Sequence, residues 1–162
     1  MASGVPAKKV LVVDDDPVIL KTLSSALEAS GYMALTAVDA AGAFAVVRRS
    51  KPDLILLDIF FPPDIFQSGN SWDAFLIIQW LQRMGESRGR QPPVIIISVA
   101  EPEEFKARCL AAGVVGYFQK PIKVPELLDA IREALRPRVS DIPVEVAADS
   151  NAERLRRANN WR

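Results

Sequence analysis

The sequence contains no histidine and one cysteine, Cys109. The first absence excludes histidine-based catalysis, histidine-metal ligation and a phosphohistidine relay within this chain. The second excludes an internal disulfide framework and suits a reducing compartment. Net charge is missing too. The 20 basic and 20 acidic side chains give a formal charge of +0, so no global field argues for nucleic acid or an anionic membrane. No apolar run approaches the roughly 20 residues that would span a bilayer. The opening MASGVPAKK has none of the hydrophobic stretch of a secretory signal. What is present is a chain of 162 residues, 49% hydrophobic and 25% charged, the profile of one globular domain with some spare length. The expectation is a cytoplasmic protein with no membrane contact.

Five short apolar runs read as buried strands: 9–13 (KVLVV), 32–36 (YMALT), 54–57 (LILL), 94–97 (VIII) and 115–118 (VGYF). Helical periodicity fills the gaps. Residues 17–29 carry Leu20, Leu23 and Leu27 on one stripe and stop at Ser30-Gly31. Residues 40–49 follow the cap candidate Asp39, and 71–84 form an apolar helix stopped by Gly85. Residues 102–112 open with Pro102 and close at Gly113, and 124–135 stop before Pro137. Strands alternating with helices imply parallel pairing through right-handed crossovers. The expected fold is α/β, a five-stranded doubly wound parallel sheet with helices on both faces.

Within that fold, VLVVDDDP at 10–17 puts three adjacent carboxylates at the end of a buried strand. Asp16 before Pro17 reads as a helix cap with proline at the first helical position. Asp14 and Asp15 need another account. In open parallel sheets, ligands sit at the carboxyl ends of the strands. Asp58 ends the third strand, Ser98 the fourth, and Lys120-Pro121 the fifth. One sheet edge therefore gathers three carboxylates, a hydroxyl and an ammonium. One lysine cannot neutralise three acids, whereas a hard divalent cation with oxygen ligands can, and few carboxylates plus water suit Mg²⁺ better than Ca²⁺. Such a site accommodates a phosphoryl group, with Lys120 and Ser98 on its oxygens. A carboxylate can itself accept phosphoryl. Asp58, the lone acid ending the central run, is the best placed.

These four stretches, VLVVDDDP, PDLILLDIFFP, VIIISVA and GYFQKP, in this order and spacing, resemble the receiver domain of two-component response regulators. The resemblance covers about residues 8–136. It implies phosphorylation of Asp58 by a sensor histidine kinase or phosphotransfer protein, with the receiver catalysing its own modification. It implies Mg²⁺ held by Asp15, Asp58 and the main-chain carbonyl of Phe60, with Asp14 ligating through water. It further implies Lys120 on the phosphoryl oxygens, a cis bond before Pro121, and Ser98 with Tyr117 as a switch pair that alters the surface of the fourth helix and fifth strand. If activation brings a homodimer, the same resemblance offers Lys106, Arg108, Asp129 and Arg132 as contacts.

Two departures stand out. The stretch after Asp58, IFFPPDIFQSGNSWDAF, is about six residues longer than the family's usual turn, and it is rich in aromatics, which suggests a partial lid. Val99 replaces the usual small residue after the switch hydroxyl. Residues 1–7 read as a flexible start, 8–136 as the receiver, and 137–162 as a polar tail, disordered or a short basic helix. No DNA-binding or other output module is legible, so the leading expectation is a stand-alone receiver that signals to a protein target. The alternatives are a receiver-like structural interaction domain that is not phosphorylated, or a fragment of a larger regulator with an output domain. A flavodoxin-like nucleotide binder would want a glycine-rich phosphate loop where this chain has carboxylates.

Overall fold

Runs such as LILL and VIII are apolar on both sides of the pleat, so a strand made from them must be covered on two faces. The computed structural model describes residues 6–59, 74–89, 91–99 and 103–137, and it meets that demand. Among the described residues the elements alternate: β1 (Lys9–Val13), α1 (Pro17–Ala29), β2 (Met33–Ala37), α2 (Ala40–Ser50), β3 (Leu54–Asp58), α3 (Ala74–Arg88), β4 (Val94–Ser98), α4 (Glu103–Ala111), β5 (Gly116–Gln119) and α5 (Val124–Ala134). The strands form one parallel sheet in the order β2-β1-β3-β4-β5. The winding direction reverses between β1 and β3, so the crevice beyond their carboxyl ends is the topological switch point.

Alternate residues of each strand point to opposite faces, and the core divides accordingly. Val10, Val12, Leu54, Leu56, Ile95 and Ile97 pack with Leu23 and Leu27 of α1 and Leu127 and Ile131 of α5. Leu11, Val13, Ile55, Leu57 and Ile96 pack with Ala43 and Val47 of α2, Ile77, Ile78 and Leu81 of α3, and Cys109 of α4. Cys109 is fully buried, a small hydrophobe in this packing. On the same face Phe44 and Trp80 meet with ring centroids 4.4 Å apart.

Local chemistry sets the helix ends. Asp16 caps α1 by accepting the Val18 N–H at 2.8 Å, and Asp39 caps α2 by accepting the Gly42 N–H at 2.6 Å. Gly31 and Gly113 both have φ +86 and close α1 and α4 with paired bonds. Gly31 N and Tyr32 N donate to Glu28 O and Leu27 O, while Gly113 N and Val114 N donate to Leu110 O and Cys109 O.

This explains one difference from the sequence expectation. Tyr32 does not open β2, because its N–H belongs to the α1 terminator, and the strand begins at Met33. The other differences at strand ends are of one residue. Gly85 is the larger correction: it does not stop α3, which runs on to Arg88. Its role is close approach, since a Cβ at Gly85 would lie 2.7 Å from Cβ of Gln91. The terminating conformation falls at Gly89, with φ +75. Gly85→Ala is thus expected to destabilise, by about 1–3 kcal/mol from overpacking, although alanine in an open helix would stabilise by nearly 1 kcal/mol. A urea midpoint that rises in this variant would refute the contact. The Pro102 start of α4, residues 71–73 and nearly all of the tail lie outside the described residues. Among the described residues no helix is long and apolar enough to cross a membrane.

Candidate functional site

The three aspartates after β1 do three different things. Asp14 is buried, and its backbone N–H donates to Ala37 O at 3.1 Å, tying it to the end of β2. Its Oδ1 accepts the Asp16 N–H at 2.9 Å, an Asx turn that fixes the carboxylate. Its Oδ2 accepts from Lys120 Nζ at 2.7 Å. Asp16 turns away to cap α1. Asp15 lies between them, exposed to solvent.

Asp58 ends β3 and is 3% exposed, held in register opposite Ile97 of β4. Lys120 Nζ reaches its Oδ2 at 3.2 Å, so one ammonium bridges two buried carboxylates. The Lys120 backbone N–H donates to Ser98 O at 2.6 Å, which brings the end of β5 to the end of β4, and the Lys120–Pro121 peptide is cis. Burial acts to lower the Lys120 pKa, but the hydrogen bond to Asp14 and the charges of Asp58 and Asp14 outweigh it, leaving the pKa above its ordinary value.

Asp14, Asp15 and Asp58 each offer an oxygen, and these lie within 4.8 Å of one another. Among the described residues, three carboxylates against one ammonium leave two formal negative charges, the complement of a divalent cation. An all-oxygen donor set with one member open to water suits Mg²⁺, which keeps several waters.

Ser98 is fully buried at the tip of β4, its hydroxyl donating to Val99 O at 2.8 Å. Val99 is 48% exposed beside it. Tyr117 stands opposite Ile96, packs against the α2–α3–α4 side of the core and has its hydroxyl enclosed. Lys106 of α4 lies over its ring, with Nζ 5.9 Å from the centroid. Sequence reasoning missed that contact, because nothing in the spacing of Lys106 and Tyr117 announces a pairing between a helix and the strand that follows it. Of the dimer-face candidates, Asp129 and Arg132 pair with each other at 2.6 Å along α5. Phe60, its stretch through Trp72, and the Arg108 side chain lie outside the described residues.

Comparison with known proteins agrees with this geometry. The model of the response regulator receiver domain matches residues 10–132. Among curated proteins, the transcriptional regulatory protein PrrA of Mycobacterium tuberculosis is 33% identical over 140 residues, covering 86% of this chain and 55% of PrrA. The phosphate regulon transcriptional regulatory protein PhoB of Escherichia coli is 34% identical over 139 residues, covering 86% of this chain and 56% of PhoB. The chain thus spans about half the length of these relatives. Among solved structures, the chemotaxis protein CheY4 of Vibrio cholerae superposes with a TM-score of 0.67 at 25% identity, covering 80% of this chain and 99% of CheY4. The receiver domain of NtrX from Brucella abortus gives 0.66 at 26% identity, again covering 80% and 99%. By its sequence, its sheet and the gathering of acids at the switch point, the chain belongs to the receiver domains of two-component response regulators.

Proposed function

We propose that Asp58 is the phosphoacceptor of this receiver. Domains of the family accept phosphoryl groups, switch conformation in response, and generally bind Mg²⁺ at an acidic site; they are not enzymes in the ordinary sense. The observation that carries the assignment is the bridging of Asp14 and Asp58 by Lys120 within a cluster of three carboxylates. In the reaction, a carboxylate oxygen of Asp58 forms a bond to phosphorus. The phosphorus–nitrogen bond of a donor phosphohistidine breaks, leaving its electron pair on the imidazole. Asp14, Asp15 and Asp58, with the Phe60 carbonyl, would hold the Mg²⁺. Such an ion supplies charge neutralisation for an incoming phosphoryl group. Lys120 exchanges its hold on Asp58 for a phosphoryl oxygen, and the Ser98 hydroxyl swings from Val99 O toward another. The Tyr117 ring turns inward to fill the space the hydroxyl vacates, and the altered α4–β5 surface is what a downstream protein reads.

The donor is a sensor histidine kinase or a phosphotransfer protein, the receiver unit spans about 8–136, and output is by protein contact, with homodimerisation as one form of it. The half-length match to proteins named as transcriptional regulators supports a second reading, in which this is the receiver of a larger regulator. Intact-mass spectrometry after incubation with acetyl phosphate tests the assignment. A single phosphoryl adduct is expected, lost in Asp58→Asn and lost when Mg²⁺ is chelated. No adduct in the wild type would sink the proposal and leave the family's fold serving as an interaction domain, and an adduct that survives Asp58→Asn would sink it by moving the acceptor to another residue.

A further inference from the structure

At the sheet edge where the strands begin, away from the carboxylates, lies a groove of about 600 Å³ between α2, α3 and the connection into β3. That volume suits a small organic ligand. Its apolar surface comes from Val47 at the end of α2, Leu81 and Met84 of α3, and Pro92 before β4. Among the described residues its charged groups are Lys51 and Asp53.

The two charges are not equivalent. Asp53 is fully engaged: Oδ1 accepts from Lys8 Nζ at 3.1 Å and Oδ2 from the Lys9 backbone N–H at 2.8 Å. Lys51 is exposed and makes no ion pair among the described residues. It also caps α2 in the left-handed conformation, φ 49 and ψ 68, where glycine or asparagine is usual. The helix dipole explains a cation near this end, and Arg48 and Arg49 in the last turn already supply that. A lysine at the strained cap itself is therefore left over. It gives an apolar groove a cationic mouth.

We propose that this groove binds a small amphipathic organic anion, its apolar body on Val47, Leu81 and Met84 and its carboxylate or sulfonate on the Lys51 ammonium. An inorganic anion would leave the apolar wall unused, a neutral apolar molecule would leave the lysine unused, and a cation would be repelled. The site shares no residue with the carboxylate cluster, so it stands or falls apart from phosphorylation at Asp58.

The probe is 1-anilinonaphthalene-8-sulfonate, titrated into the full chain by fluorescence and followed by amide chemical shifts. Saturable one-to-one binding is expected, with shifts centred on Val47, Lys51, Leu81 and Met84. Lys51→Asn keeps a residue suited to the left-handed cap and removes the ammonium; it should weaken binding about tenfold. Met84→Glu, which sets a carboxylate on the apolar wall, should weaken it at least as much, while Lys123→Asn at the other edge should leave it unchanged. Non-saturable binding, shifts centred elsewhere, or equal affinity in Lys51→Asn and wild type would overturn the proposal.

Discussion

Lys120→Met is expected to lower the free energy of unfolding by about 3 kcal/mol in chelator, the low end of the range for removing one partner of a buried ion pair. The low end applies because the lysine side chain keeps 17% of its surface exposed, so water reaches part of the site. Methionine retains the unbranched stem and deletes the charge. Asp14 and Asp58, with side chains 2% and 4% exposed, then lose the ammonium they share. Added Mg²⁺ should recover more stability in the variant than in the wild type. In the wild type a bound cation would share the Asp14 and Asp58 carboxylates with the ammonium, and the stabilisation from a bound ligand grows with the logarithm of its affinity for the native state. The sign with pH follows from the raised Lys120 pKa. Its contribution is complete below 10.5, the unfolded value, and fades only as pH rises through the higher folded value. The lysine's share of the difference is therefore constant across neutral pH. Denaturant unfolding with and without Mg²⁺ checks this, and equal stability of variant and wild type in chelator would show that the bridge contributes nothing net.

A second large effect is expected from the strand that carries Asp58. Leu56→Ala should cost about 3 kcal/mol, from lost burial plus the cavity left behind. For a chain of this size that corresponds to a fall of about 10 °C in Tm. Leu56 is 0% exposed in the central strand, on the face covered by α1 and α5. The register to β1 and β4 on either side restrains any collapse of the backbone into the space. Val38→Ala is the matched comparison, since Val38 is 57% exposed and should change Tm by little. Equal melting temperatures for the two variants would mean that the central strand is not packed as described.

The alternation of strands and helices and the placing of Asp14, Asp58, Ser98 and Lys120 at strand tips were legible because apolar runs and the polar residues that end them are local patterns, whereas the lateral order of the strands is set by pairing between distant segments. So were the caps at Asp16 and Asp39 and the terminators at Gly31 and Gly113, each set by one residue and its immediate neighbours. Gly85 was misread for the converse reason. Its need for hydrogen in place of a methyl arises from Gln91, which returns past it after the helix has ended, and a glycine inside a periodic pattern reads as a stop. The bridging role of Lys120 was foreseen only as nearness to a phosphoryl group; its present bonds to both Asp14 and Asp58 depend on how β5 docks. The Lys106–Tyr117 contact and the groove beside Lys51 depend on packing between elements that no spacing encodes.

The bridge between Lys120 and Asp14 joins residues 106 apart in sequence. A chain emerging from its N-terminus exposes Asp14 and Asp58 long before their counter-ion exists. Until β5 adds to the edge of β4, the acidic tips of β1 and β3 remain charged and hydrated, which opposes tight closure of the sheet around them. The last strand therefore brings the bridging ammonium together with its four residues of backbone pairing, so the order of synthesis delays completion of the site until nearly the whole domain is in place.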